Sequence, residues 1–388
     1  MQVSQTPGRA MVALLAVACA VVVANIYYVQ PLIGLIGPDV HMSPRAASLI
    51  MSCTQLGYAA GLLLLVPLGD IVENRRLVVL TIAACMPPLL LAGLARSAPE
   101  MLMAGAAVGV TSVAVQMLVP LAAHMAPERV RGRVVGTVMS GLLMGILLAR
   151  PVSSAITAAF GWRVVFFLSA GLMAALALLL RCTLPERSPG ARQGYGVLLA
   201  SLFVLPFKVR VLRQRGLVQS ACFAAFSLFW TGAPLYLAHD LGFTQRGIAV
   251  FGLAGAAGAL VAPIAGSLAD RGYGRAATYG GLASIALAFG VAWVGGEVHS
   301  ALVLAGAAML LDAGVQTSLI VGQRAIYAEA AEIRSRLNGL FIAMFFVGGA
   351  AGSAVTGALL LHGGWPGLCG LGAVLPLLAL GYCRLARV

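Results

Sequence analysis

One pattern occurs twice in this chain and limits its fold more than any other feature. It reads Arg-x-Arg, two residues, Gly, eight residues, Gly, fifteen residues, Gly-Trp. The first copy is Arg131, Arg133, Gly136, Gly145, Gly161 and Trp162; the second is Arg334, Arg336, Gly339, Gly348, Gly364 and Trp365. Every member is displaced by 203 residues (334 − 131, 348 − 145 and 365 − 162). Pro31 and Pro234 share that offset. A skeleton of glycines and charges kept at one long offset requires two structurally equivalent halves.

The medium in which the halves fold follows from polarity. Apolar residues make up 61% of the 388 and charged residues 10%, with mean hydropathy +0.98. A water-soluble domain carries about 25% charged residues, so this chain lacks the polar surface to stay in water. Apolar runs fall near 10–37, 44–69, 77–95, 101–123, 134–159, 162–180, 215–238, 247–269, 276–294, 301–322, 337–361 and 365–383. At ~20 residues per crossing these predict twelve transmembrane helices. The first run is too long and too polar in its second half for a cleaved signal, and is expected to remain as the first helix. The expected organisation is an all-α membrane protein: a six-helix bundle over 1–181, a central loop over 182–214, and a second six-helix bundle over 215–388.

The net charge of +13 is distributed in a way that argues against nucleic acid. Twenty of the 25 Lys and Arg fall in alternate loops and the termini; Arg45, Arg96, Arg163 and Arg246 lie in the opposite loops and Arg150 within a helix. That bias places both termini in the cytoplasm, with the bilayer as the basic chain's partner. The longest polar connection, Arg181 to Arg215, contains a segment, 195–207, that reads equally as a helix on the membrane surface or an unstructured linker. The seven cysteines show no Cys-x-x-Cys spacing and the five histidines no ligand spacing, so no metal and no cofactor is expected.

Two full charges sit in mid-helix. Arg150 has nine residues after it in the fifth run, ~14 Å of helix, and Asp312 has eleven before it in the tenth, ~17 Å. Half the hydrocarbon core is about 15 Å, so both fall near the midplane, where an isolated charge costs at least ~2.5–3.5 kcal/mol. The functional reading makes Asp312 the proton-carrying group, since an arginine does not release a proton, and Arg150 its switchable partner or a docking point for an anionic solute. A static ion pair is the alternative. Gln316 lies one turn from Asp312 on the same face. The first run carries Asn25, Tyr28 and Gln30 before Pro31; polar side chains so dense in an apolar helix mark a cavity wall or helix-packing contacts. Gln55 and Tyr58, Gln116, and the aromatics Trp230 and Tyr236 add further candidate lining.

The loops after the second and eighth runs read Asp70-Ile-Val-Glu-Asn-Arg75-Arg76 and Asp270-Arg271-Gly-Tyr-Gly-Arg275. A carboxylate at a helix end followed by arginines forms a clamp that can close in one state and release in another. These loops resemble the signature of the major facilitator superfamily, the second copy more closely; the first has Val66 and Ile71 where a glycine and an arginine are usual. The first run, Ala24 to Leu32, resembles a bacterial branch classed among drug:proton antiporters and sugar-efflux carriers. The resemblance covers essentially the whole chain. It implies alternating access, Asp70, Arg75, Asp270 and Arg271 as gate residues, and a monomer in the bacterial inner membrane. Gly136 and Gly145 keep the fifth-helix antiporter spacing, which ends here in Ala149-Arg150-Pro151. The expected function is proton-coupled efflux of a small organic molecule, with proton-coupled uptake of a small anionic solute as the alternative and a non-transporting membrane sensor or scaffold behind both. An enzyme is disfavoured, because the runs contain no nucleophile–base set and no carboxylate cluster. ATP coupling is disfavoured because no phosphate-binding loop is present.

Overall fold

The computed structural model describes residues 8–188, 194–258, 261–329 and 331–386. Every element is helical among the described residues. In chain order, α1 spans Arg9–Asp39, α2 Pro44–Asp70, α3 Asn74–Leu94, α4 Ala98–Met125, α5 Glu128–Phe160 and α6 Trp162–Thr183. A short α7, Tyr195–Lys208, leads to α8, Arg210–His239. Then come α9, Gln245–Gly258, and α10, Ala262–Asp270, on either side of two undescribed residues, followed by α11, Gly274–Glu297, and α12, Ala301–Tyr327. The last helical stretch, Ala331–Ala386, is broken at Gly364, giving α13 over 331–363 and α14 over 365–386. Among the described residues ten stretches are long and apolar enough to cross a membrane, counting the α13–α14 stretch once and leaving out α9 and α10.

Helices α1–α6 pack chiefly on one another, and α8 and α10–α14 do likewise, while α9 lies at least as closely against α5 of the first group as against α12. The repeated glycines explain part of this. A Cβ on Gly145 of α5 would lie 2.2 Å from the Ala20 carbonyl oxygen of α1, and one on Gly348 of α13 would lie 2.4 Å from that of Ser220 in α8. Only glycine permits such backbone approach, which is how helices associate where lipid removes the hydrophobic drive. Gly161 and Gly364 adopt φ of +86° and +57°, ending one helix so that the next starts at the tryptophan. The two tryptophans then diverge. Trp162 donates to Asp39 Oδ2 (2.9 Å), whereas Trp365 donates to the Ala292 carbonyl (2.8 Å) and stacks on Tyr236.

The α7 segment forms a helix, with Leu198 and Leu202 buried and Val197, Phe203 and Phe207 exposed. Tyr195 donates to the Leu64 carbonyl of α2 (2.7 Å), and Arg336 of α13 donates to Ser201 Oγ (3.0 Å). The connection is thereby tied to both groups of helices.

Direct contacts between the groups run along α5 and α9, along the end of α1 and α8, and along α2 and the C-terminal part of α13, the last remote from the chain termini. Gly357 N donates to Ser48 Oγ (3.4 Å), Ser52 Oγ to the Ala350 carbonyl (2.9 Å), and the Tyr58 ring lies 4.4 Å from that of Phe346. At the same end a cavity of about 460 Å³ opens between the groups, lined by Gly34, Pro38, Leu235, His239, Asp240 and Leu361 among others.

Candidate functional site

The unwinding of α1 begins the site. Pro31 has no N–H to donate, and the helix passes at Gln30–Leu32 into a 3-10 turn. This aims the buried Gln30 at α5, where its Oε1 accepts from Arg150 Nε at 2.8 Å. The loosened backbone also leaves the Pro31 carbonyl accessible to Gln245 Nε2 of α9, 3.0 Å away and shared with Ser154 Oγ of α5 at 3.4 Å.

Arg150 is 2% exposed. Its guanidinium carbon lies 4.2 Å from the centre of the Trp230 ring, 5.0 Å from Phe226 and 5.4 Å from Tyr27. A delocalised guanidinium stacks on ring faces while its edge remains available for hydrogen bonds. Trp230 sits one turn after Phe226, so α8 presents both rings to the same cation. On its other side the Trp230 indole N–H donates to Asp312 Oδ1 of α12 at 2.8 Å. Asp312 is 4% exposed. These two charges within helices thus form no direct ion pair, but meet through one indole. Helix α9 seals this arrangement from the side: a Cβ on Gly255 would lie 2.5 Å from Trp230 Cζ2 and 2.6 Å from Asp312 Oδ2.

The structure brings Gln30, Arg150, Trp230 and Asp312 together. Gln316 is half-buried one turn beyond Asp312. Gln55 joins the groups, donating to Ser227 Oγ (2.8 Å) and accepting from Ser353 Oγ (3.4 Å). Gln116 donates to the Tyr58 hydroxyl at 3.3 Å. Asn25 lies elsewhere: it accepts from Ser169 Oγ and donates to Met173 Sδ (3.5 Å), binding α1 to α6. Tyr28 is buried at the break in α1, and Tyr236 stacks on Trp365 well along α8 from Trp230.

Sequence reasoning passed over Phe226, Ser227, Gln245 and Gly255. The i, i+4 spacing of Phe226 and Trp230 was the one signal that could have flagged an aromatic wall.

At the opposite end no ion pair joins the described side chains of Asp70, Arg75 and Arg271 to one another. Arg75 pairs with Glu186, just past α6, and also donates to the Leu184 carbonyl (3.5 Å). Asp70 and Arg271 are exposed, and the side chain of Asp270 lies outside the described residues. Glu73 caps α3. Burial raises its carboxyl, but the backbone N–H groups of Arg187, Arg76 and Arg75 donate to it and together hold it below its ordinary value. No cluster able to hold a metal ion occurs among the described residues.

Comparison with known proteins adds three findings. Residues 15–322 match the sequence model of the Major Facilitator Superfamily. YgaY of Escherichia coli (strain K12), named as a transporter, is 41% identical over 372 residues, covering 96% of this chain and 94% of that protein. SCO4007 of Streptomyces coelicolor, likewise named as a transporter, is 36% identical over 371 residues, covering 94% and 85%. Among solved structures the nucleoside transporter NupG superposes with a TM-score of 0.76 at 15% identity, covering 96% of this chain and 99% of that one. That last likeness is one of fold alone.

Proposed function

The chain belongs to the Major Facilitator Superfamily, a non-enzymatic multi-pass membrane transporter, and we propose that it couples solute movement to protons by alternating access, Asp312 carrying the proton and Arg150 engaging the solute. One observation carries this reading: the two midplane charges, from opposite groups of helices, converge on the single indole of Trp230 without pairing directly. A static ion pair would close that gap. An indole that stacks on one charge and donates to the other lets each change partner independently.

The frame is two six-helix bundles, 1–181 and 215–388, joined through 182–214, with twelve crossings once α9 and α10 are one span and α13 and α14 two. Both termini lie in the cytoplasm of a bacterial inner membrane, and the protein acts as a monomer. The clasp along α2 and α13 then closes the external side, and the separated Asp70, Arg75 and Arg271 belong to a gate that closes, with Asp270, in the other state.

Export of a small organic molecule in exchange for protons is supported by the glycine spacing of α5. Uptake of a small anion together with a proton is supported by a more specific observation. Arg150 Nη2 is buried with no hydrogen-bond partner. An anion docked there supplies the single counter-charge that the low-dielectric site favours, and Asp312 then carries its proton, so the two enter together. The geometry therefore favours symport. The test is flux in proteoliposomes under pH gradients of each sign, with Asp312→Asn beside wild type. Movement with the proton gradient supports symport, and movement against it supports export. Gradient-driven flux that survives Asp312→Asn unchanged removes the coupling assignment.

A further inference from the structure

Arg150 and Gln30 share one hydrogen bond, and each retains a buried donor beside it. Nε and Nη2 form one edge of a guanidinium, and Gln30 Oε1 occupies only the Nε half. Nη2 has no acceptor, and neither has Gln30 Nε2; Gln30 is 0% exposed. Two N–H groups desolvated within one hydrogen-bonded pair are costly unless something accepts from them. Tyr27, Phe226 and Trp230 cover the faces of the guanidinium, so the unsatisfied edge is the part of the cation left for a ligand to engage when the site is opened to it.

We infer that Arg150 Nη2 and Gln30 Nε2 form the head-group subsite for an organic monocarboxylate, one N–H to each oxygen, with an apolar body against the aromatic wall. Three features select this class. A carboxylate is planar and offers two oxygens in the plane of the donors, as the open edge requires. A phosphate or sulfonate brings a third oxygen toward the Phe226 and Trp230 faces, which supply no free donor, since the Trp230 N–H is committed to Asp312. One fixed cation balances one negative charge, whereas a dianion would leave a buried charge uncompensated beside Asp312. Gln30 gains a specific role: it holds the guanidinium through Nε and offers its own amide N–H to the second oxygen. The inference rests on the transport reading only in treating the bound acid as cargo.

The experiment measures equilibrium binding to the full chain in lipid nanodiscs, with no gradient, by calorimetry. The probes are benzoate, phenylacetate and hexanoate, with the matched amides and phenylphosphonate as controls. The wild-type protein is expected to bind at least one acid about tenfold or more tightly than its amide and than the phosphonate, as loss of a charge-assisted hydrogen bond implies. Gln30→Leu is expected to weaken the acid about tenfold while leaving the amide within about twofold. Amides binding as well as acids, a preference for the phosphonate, or no binding of any acid overturns the subsite. The acid–amide comparison needs no variant, so it stands whether or not Gln30→Leu folds. Acid selectivity without proton-driven flux overturns the coupling and keeps the subsite; proton-driven flux of a neutral solute with no acid bound does the reverse.

Discussion

Trp230→Phe separates solute binding from proton coupling, because it keeps a ring against Arg150 and deletes the indole N–H. The lost contact is the 2.8 Å bond from Nε1 to Asp312 Oδ1, the one side-chain hydrogen bond that Asp312 makes among the described residues. A hydrogen bond to a charged group is worth ~1.5–3 kcal/mol, and at ~1.4 kcal/mol per tenfold this is a factor of roughly 10 to 150. The cost falls only where Asp312 is ionised, hence on the step in which it releases its proton. The stacking that remains is a cation–π contact, for which Phe gives up at most about 1 kcal/mol, or about fivefold in affinity. The expected result is solute binding within about fivefold of wild type, with proton-driven accumulation reduced by about one to two orders of magnitude. Both are measured on protein matched for amount and thermal stability, as equilibrium binding in nanodiscs and uptake into proteoliposomes under an imposed pH gradient. Accumulation within twofold of wild type would refute the role of the indole as the link between the two charges.

Two further predictions concern stability. Gly348 and Gly339 are equally part of the repeat, yet a Cβ on Gly348 meets the Ser220 carbonyl at 2.4 Å while one on Gly339 meets nothing within 4 Å. Gly348→Ala is therefore expected to destabilise by about 1–3 kcal/mol and Gly339→Ala to be neutral or stabilising by up to about 1 kcal/mol, read by denaturant titration in detergent. Equal effects would show that the repeat glycines are kept for some reason other than backbone approach. Glu73, held below its ordinary value of 4.5, contributes its cap fully above that pH and loses it as pH falls through the lower folded value. Glu73→Gln should cost about 1 kcal/mol at neutral pH, with the difference from wild type vanishing in acid. A difference that persists at low pH contradicts the assignment.

Much of the architecture was legible before any coordinates. The offset of 203 marked a repeat in the sequence, and its breakage marked Arg150 and Asp312, which map onto Ser353 and Gly109. Composition named the solvent, and rise per residue put both charges at similar depth, which their shared contact with Trp230 requires. Gln30, Trp230 and Arg150, named separately as polar or aromatic helix residues, do meet.

Which residue meets which was decided by the tertiary structure. Asn25 and Gln30 lie on the same apolar helix and look alike in sequence, yet Asn25 binds α1 to α6 and Gln30 reaches Arg150. Periodicity gives the face on which a side chain lies, not the helix that will approach it. In water an apolar stripe marks the buried face; in lipid nearly every face is apolar, so the pattern carries no partner information and glycine contacts set the docking instead. The sequence by itself determined the membrane, the duplication and the two charges that break it. Only the packing of α9 against both α5 and α12, with α8 against α12, decided that those charges meet through an indole, because backbone approach rather than hydrophobicity fixes how these helices cross.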